Sequence, residues 1–220
     1  MISSHNKLVR VLEYIVDFVL LNFLFILCSL PIVTAYPAFI ALVEVMKDLS
    51  EDKPIPAWKQ FLKLFYDYLI KGIKVWLVLL FVSVILIGNL LAVNYMPNAL
   101  QNFFLPFNII VSILFLGISS NLIKLFILGE HHLKPLFISS FYLLFRQPLK
   151  TLLLILINSI ILILSVYLRF IPIIFSFSLL AYAHYFLMFG KDKSLMIIRL
   201  TLKTENLFLF EKKVDLISIK

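Results

Sequence analysis

The chain holds a single cysteine and only five glycines in 220 residues. Cys28 therefore has no second thiol with which to close a disulfide or a thiolate metal site. Its place inside an apolar run makes it a small buried hydrophobe. Charge is also scarce: 15% of residues are charged and 62% hydrophobic, with a mean hydropathy of +1.05. A soluble domain is roughly half apolar and about a quarter charged, so this excess is too large for one soluble core. No nucleophile elbow, phosphate loop or metalloprotease helix occurs in the sequence. It is therefore read as a non-enzyme that needs no cofactor. The net charge of +8 comes without a basic patch interleaved with aromatics, and no nucleic-acid partner is expected.

What is present is apolar and helical in pattern. Twenty-two phenylalanines with few glycines suit a bundle of membrane-spanning helices. A polar lead, 1–13, is followed by an apolar run from Tyr14 to Leu30, long enough to cross most of a bilayer. Ser29-Leu30-Pro31-Ile32-Val33-Thr34 interrupts it, and Pro37 follows. Both prolines remove backbone donors, so one continuous helix is not expected. The second arm, Ile32 to Met46, completes a hairpin or re-enters the membrane. Broken backbone at membrane depth needs internal partners or a polar cavity. Asn22, Ser29, Pro31, Thr34 and Pro37 are thus the candidate structural or polar-site residues. Asn22 and Thr34 are expected to satisfy the carbonyl freed near Leu27.

Lys47 to Pro56 reads as a solvent loop. Trp58, Phe61, Phe65 and Leu69 then recur at helical spacing with Lys59, Lys63 and Asp67 between them. That is the pattern of an amphipathic helix, either lying in the interface or docked on the bundle. Spans follow at Val75–Tyr95, Phe103–Leu128, Thr151–Leu168 and Ile173–Phe189, with a weaker amphipathic pattern at Phe137, Phe141, Leu144 and Phe145. The fold expected is all-α: a polytopic membrane bundle with a broken N-terminal hairpin, four further spans and one or two interfacial helices. Residues 1–193 form the single membrane domain and 194–220 a cytoplasmic tail. An offset of 76 residues pairs Phe61 with Phe137, Phe65 with Phe141 and Lys74 with Lys150, a faint parallel repeat.

With the hairpin counted as two crossings, 19 of the 20 lysines and arginines fall on one face and only Arg169 opposite. The positive-inside bias then puts both termini in the cytoplasm of a multi-pass cell-membrane protein. The same surplus would attract anionic lipid on that side. Four amides, Asn22, Asn89, Asn108 and Asn158, sit in different apolar segments as helix-to-helix glue, and Ser112 and Ser119 share a stripe with Asn108. His184 lies in the last span beside Tyr182 and Tyr185. Glu130-His131-His132 has metal-ligand residue types, but adjacent histidines diverge on a helix, and a solvated loop is the reading.

Leu21-Asn22, Ser29-Leu30-Pro31-Ile32-Val33-Thr34, Pro37-Ala38 and Phe61-x-x-x-Phe65 before a span together resemble the YesL-like family of bacterial integral membrane proteins. The likeness follows nearly the whole chain in order and length and is sharpest in the first seventy residues. Phe25 stands where Trp is common and Tyr36 where Gly is frequent. The family has no established biochemical activity. The resemblance implies an accessory or regulatory component associated with carbohydrate uptake, with a carbohydrate transporter as partner. A small permease that uses the hairpin around Pro31 as its binding site is the alternative.

Overall fold

The computed structural model describes residues 2–51, 56–167 and 175–189, with the side chains of 2–11 and 166 left aside. Lys53, Arg169, Pro172 and the tail 194–220 lie outside the described residues. Every element found is helical: α1 (Ile2–Ser29), a 3-10 turn (Ile32–Thr34), α2 (Ala35–Ser50), α3 (Ala57–Val93), α4 (Asn98–Ile127), α5 (Leu133–Arg146), α6 (Pro148–Tyr167) and α7 (Phe177–Phe189). Four of them, α1, α3, α4 and α6, are long and apolar enough to cross a membrane, and α7 is a shorter apolar helix. The chain is therefore a polytopic membrane bundle.

The helix breaks at Pro31 as expected, because the proline has no N–H to give and disfavours helical backbone in the residue before it, and Pro31 itself is extended. Pro37 does not break the chain a second time. It falls in the first turn of α2, where an N–H has no intrahelical acceptor and none is missed. Pro106 lies deeper than expected, since α4 begins at Asn98, yet α4 runs through it unbroken.

α2 is the centre of the molecule. Ala38, Ile40, Ala41, Leu42 and Val43 are fully buried in succession, so its apolar surface is covered on all sides and not along one stripe. α1, α3, α4 and α7 supply the cover. The expected interfacial segment is not a separate helix. It is the first half of α3, a continuous helix of 37 residues, about 55 Å at roughly 1.5 Å per residue, docked along α2. Phe61 is 0% exposed, Phe65 packs beside it, and Trp58 with Lys59 and Lys63 stays outside. The Trp76 indole N–H donates to the Ile32 carbonyl at 2.7 Å, so the hairpin's tip reaches only the middle of α3. Beyond it, Phe81, Val84, Ile87 and Leu91 of α3, Phe103 and Phe107 of α4, and Leu156 and Ile163 of α6 are all exposed and apolar. Only lipid suits such a surface.

The 76-residue offset lays α5 and α6 end to end over residues 57–91 of α3. Pro148 then stands where α3 has Gly72, which accounts for one continuous helix in the first half of the chain and two in the second. Leu64 and Ser140, like Val75 and Thr151, are paired by the offset and buried in both halves.

Gly72 allows α3 to press on the hairpin: a Cβ there would lie 2.9 Å from Pro37 Cγ and 3.1 Å from its Cβ. Gly88, on the same helix, has open space around it. Gly72→Ala is expected to destabilise by about 1–3 kcal/mol through overpacking, whereas Gly88→Ala gains roughly 0.5–1 kcal/mol. Paired thermal melts in one detergent check this, and equal shifts would show that α3 does not bear on Pro37.

Candidate functional site

The polar groups collected around α2 form the candidate site, and they divide between its two ends. At the hairpin tip the groups freed by Pro31 are met locally. The Thr34 hydroxyl contacts the Cys28 carbonyl at 2.6 Å and the Pro31 carbonyl at 2.7 Å. The Ile32 carbonyl accepts from Trp76, and the Ser29 hydroxyl bonds back to the Ile26 carbonyl at 3.1 Å. The Tyr36 and Trp76 rings stack at 5.6 Å and 2°, which locks the tip of the hairpin to α3.

Asn22 is committed elsewhere. It is fully buried, and its Oδ1 accepts from the backbone N–H groups of Phe177 at 2.9 Å and Ser178 at 3.1 Å. These are the first two residues of α7, so a side chain from α1 caps a helix more than 150 residues away. The Ser178 hydroxyl returns a bond to the Phe18 carbonyl at 2.8 Å. The expectation that Asn22 serves the Pro31 break is corrected accordingly. Spacing within one hairpin carries no sign of a partner so distant in the chain.

At the other end of α2 the polar residues carry charge. The Tyr68 hydroxyl donates to Glu44 Oε2, and Gln60 Nε2 donates to Asp48 Oδ2 at 2.8 Å. The Ser50 hydroxyl bonds the Tyr185 hydroxyl at 2.6 Å. Asp48 is not in a solvent loop but 7% exposed within α2, and Lys124 is 0% exposed in α4. Ionisable side chains at such depth are functional candidates by default. The signal for Lys124 was readable as a lone lysine between Ile123 and Leu125 in an unbroken apolar run. The signal for Asp48 was its i+4 spacing from Glu44.

His184 is 1% exposed on α7, edge-on to Phe39 at 6.2 Å and bordered by Lys124 and the Ser120 carbonyl. Neither ring nitrogen meets a hydrogen-bond partner in good geometry, so the cross-helix bond expected of a neutral histidine is not made. The amides and hydroxyls of α4 act mostly within their own helix. Ser112, Ser119 and Ser120 bond carbonyls three or four residues back, and Asn108 reaches the Leu86 carbonyl of α3 only at 3.4 Å. Asn158 Oδ1 is buried without a partner, and Asn89 is exposed.

Glu130, His131 and His132 do not converge. The Glu130 carboxylate accepts the His132 backbone N–H at 2.9 Å, and the His131 ring packs against Phe126 at 4.7 Å. Among the described residues no three His, Cys, Asp or Glu side chains gather as a metal site would need. Burial, then the nearby Lys71 charge, holds the His131 pKa below its usual value, against weaker opposition from Glu130.

A bundle of long apolar helices around a buried polar seam defines an integral membrane protein. Residues 18–90, about a third of the chain, match the profile of a family described as protein of unknown function, DUF624. The YesL-like proteins belong to it. The match takes in the hairpin, α2 and all of α3 but its last three residues. No curated protein and no solved structure matches the chain.

Two predictions follow from this geometry. Asn22→Leu leaves two N–H groups of α7 without their acceptor, and Thr34→Val takes the hydroxyl donor from the Cys28 carbonyl while the Pro31 carbonyl keeps the Thr34 backbone N–H, each costing about 1–3 kcal/mol. Thermal melting in detergent reads the loss, and parental melting of both variants would refute the assignments. His131 binds a proton less readily folded than unfolded, so its contribution is complete above the unfolded value near 6.5 and stability falls as pH drops through it. His131→Leu should flatten that acid-side slope in melts run from pH 8 to pH 5, whereas an unchanged slope would place the titration elsewhere.

Proposed function

We propose that the protein is a membrane-embedded accessory or regulatory component, without an enzymatic activity of its own, that assists a transporter. The observation that carries this reading is the occupation of the hairpin's freed carbonyls. Cys28, Pro31 and Ile32 each have a donor from Thr34 or Trp76, so the broken backbone is closed on itself and offers no row of polar ends to a cargo. In the alternative, a small permease, the broken helix would keep such groups turned toward a path. That alternative draws support only from Lys124, Asp48 and His184, which are buried and ionisable around α2.

The link to carbohydrate uptake rests on the resemblance to YesL-like proteins and enters as part of the proposal. So does orientation: the N-terminal lead, the tail and the basic connections face the cytoplasm, where their charge favours anionic lipid. Purification from native membranes is expected to bring down a stoichiometric transporter partner, while liposomes holding this protein alone take up no sugar. Uptake by those liposomes would overturn the accessory role. For orientation, cysteines introduced at 98 and 53 in a Cys28→Ser background should label from outside at 98 and not at 53. The reverse pattern would invert the topology.

A further inference from the structure

A cavity of about 410 Å3, open on one side, lies between α1, α2 and α7. It sits at the end of the bundle where Ser50 meets Tyr185. Its walls are Tyr14 and Phe18 from α1, Met46, Leu49 and Ser50 from α2, and Tyr182 from α7. The volume falls within the roughly 300–1,000 Å3 of small-molecule sites. Half of the lining is aromatic, with the Phe18 and Tyr182 rings 6.0 Å apart and inclined at 57°. Aromatic faces carry negative partial charge and draw cations to within about 6 Å. The same seam already shows the effect, since the Lys47 ammonium of α2 stands 5.9 Å over the Phe189 ring of α7.

The groove's own lining carries no charge, and the residues beside it in the chain are acidic. Glu13 and Asp17 flank Tyr14 and Phe18 on α1. They stand one turn apart, at the i, i+4 spacing that sets like charges side by side. A positive group seated beside Tyr14 would relieve that repulsion and complete the aromatic wall. A bare metal ion would not use this lining, because Met46, Leu49 and the three rings offer few oxygen ligands.

We propose that this groove binds an organic ammonium ion, its nitrogen against Phe18 and Tyr182 with Asp17 and Glu13 as counter-charge, and its apolar substituents against Met46 and Leu49. The inference is independent of the accessory role. Two sources carry this chemistry, a free quaternary ammonium solute and the ammonium head of a zwitterionic lipid.

Calorimetric titration of the full-length protein in a nonionic detergent with tetramethylammonium chloride, against sodium chloride, tests the first source. Native mass spectrometry after extraction from bilayers of phosphatidylethanolamine and phosphatidylglycerol tests the second. Asp17→Asn and Tyr182→Leu should each weaken the bound ammonium species by about tenfold, and Tyr182→Phe, which keeps the ring, should retain it. All three are checked for a parental melting temperature. Tetramethylammonium binding identifies a solute site, and ethanolamine lipid held by the parent and lost in Asp17→Asn identifies a lipid-head site. The proposal fails if neither probe binds, if binding is undiminished in both Asp17→Asn and Tyr182→Leu, or if phosphatidylglycerol is retained in preference.

Discussion

A helix with neighbours on every side must have the polar side chains along its length met from within the protein, because neither water nor lipid reaches them. α2 is such a helix, and its burial sets the conditions that the rest of the bundle fulfils. Thr34 and Trp76 meet the carbonyls where the chain enters it. Tyr68 and Gln60 meet the carboxylates of Glu44 and Asp48 where it leaves. Proline at 37 and glycine at 72 bring α2 and α3 together at a spacing that a larger side chain would deny. α7 closes the remaining side, and its own first N–H groups are met by Asn22 from α1. Three chain segments distant in sequence are thus tied to one helix by few bonds. Where the group is buried, as at Asn22, a lost partner leaves it unmet, which costs more than the bond itself contributes.

The part of the molecule beyond Trp76 obeys a different rule. There α3, α4 and α6 turn apolar side chains outward and share few buried residues, as helices do when lipid is their solvent and apolar burial gives them no reason to associate. Specific internal geometry is therefore concentrated in the half that contains α2. The match to DUF624, which covers residues 18–90, falls largely on that half as well.

Much of this was legible from residues alone. Composition gave the membrane class, Pro31 gave the break, and the identity and spacing of Thr34 gave its bond to a preceding carbonyl. The same reading took the first half of α3 for a separate helix and left open whether it lies in the interface or docks on the bundle. An amphipathic pattern states only that one face is apolar, not whether lipid or α2 will cover it. It placed Asp48 in a solvent loop because charge was taken as a sign of exposure, while the fold buries it within α2. It joined Asn22 to the nearest break, whereas helix packing delivered the α7 N-terminus from the far end of the chain. Local chemistry was readable, but partners set by tertiary packing were not.

Hydrogen–deuterium exchange of the protein in a bilayer mimetic tests the central role of α2 most directly. Backbone amides of residues 38–48 are expected to exchange far more slowly than those of the hairpin tip, 30–34, since the former are enclosed by four helices and the latter lie at an exposed turn. Exchange of 38–48 at the rate of the tip would contradict the account. It would mean that water runs alongside α2, as a transport path requires and a structural core does not permit.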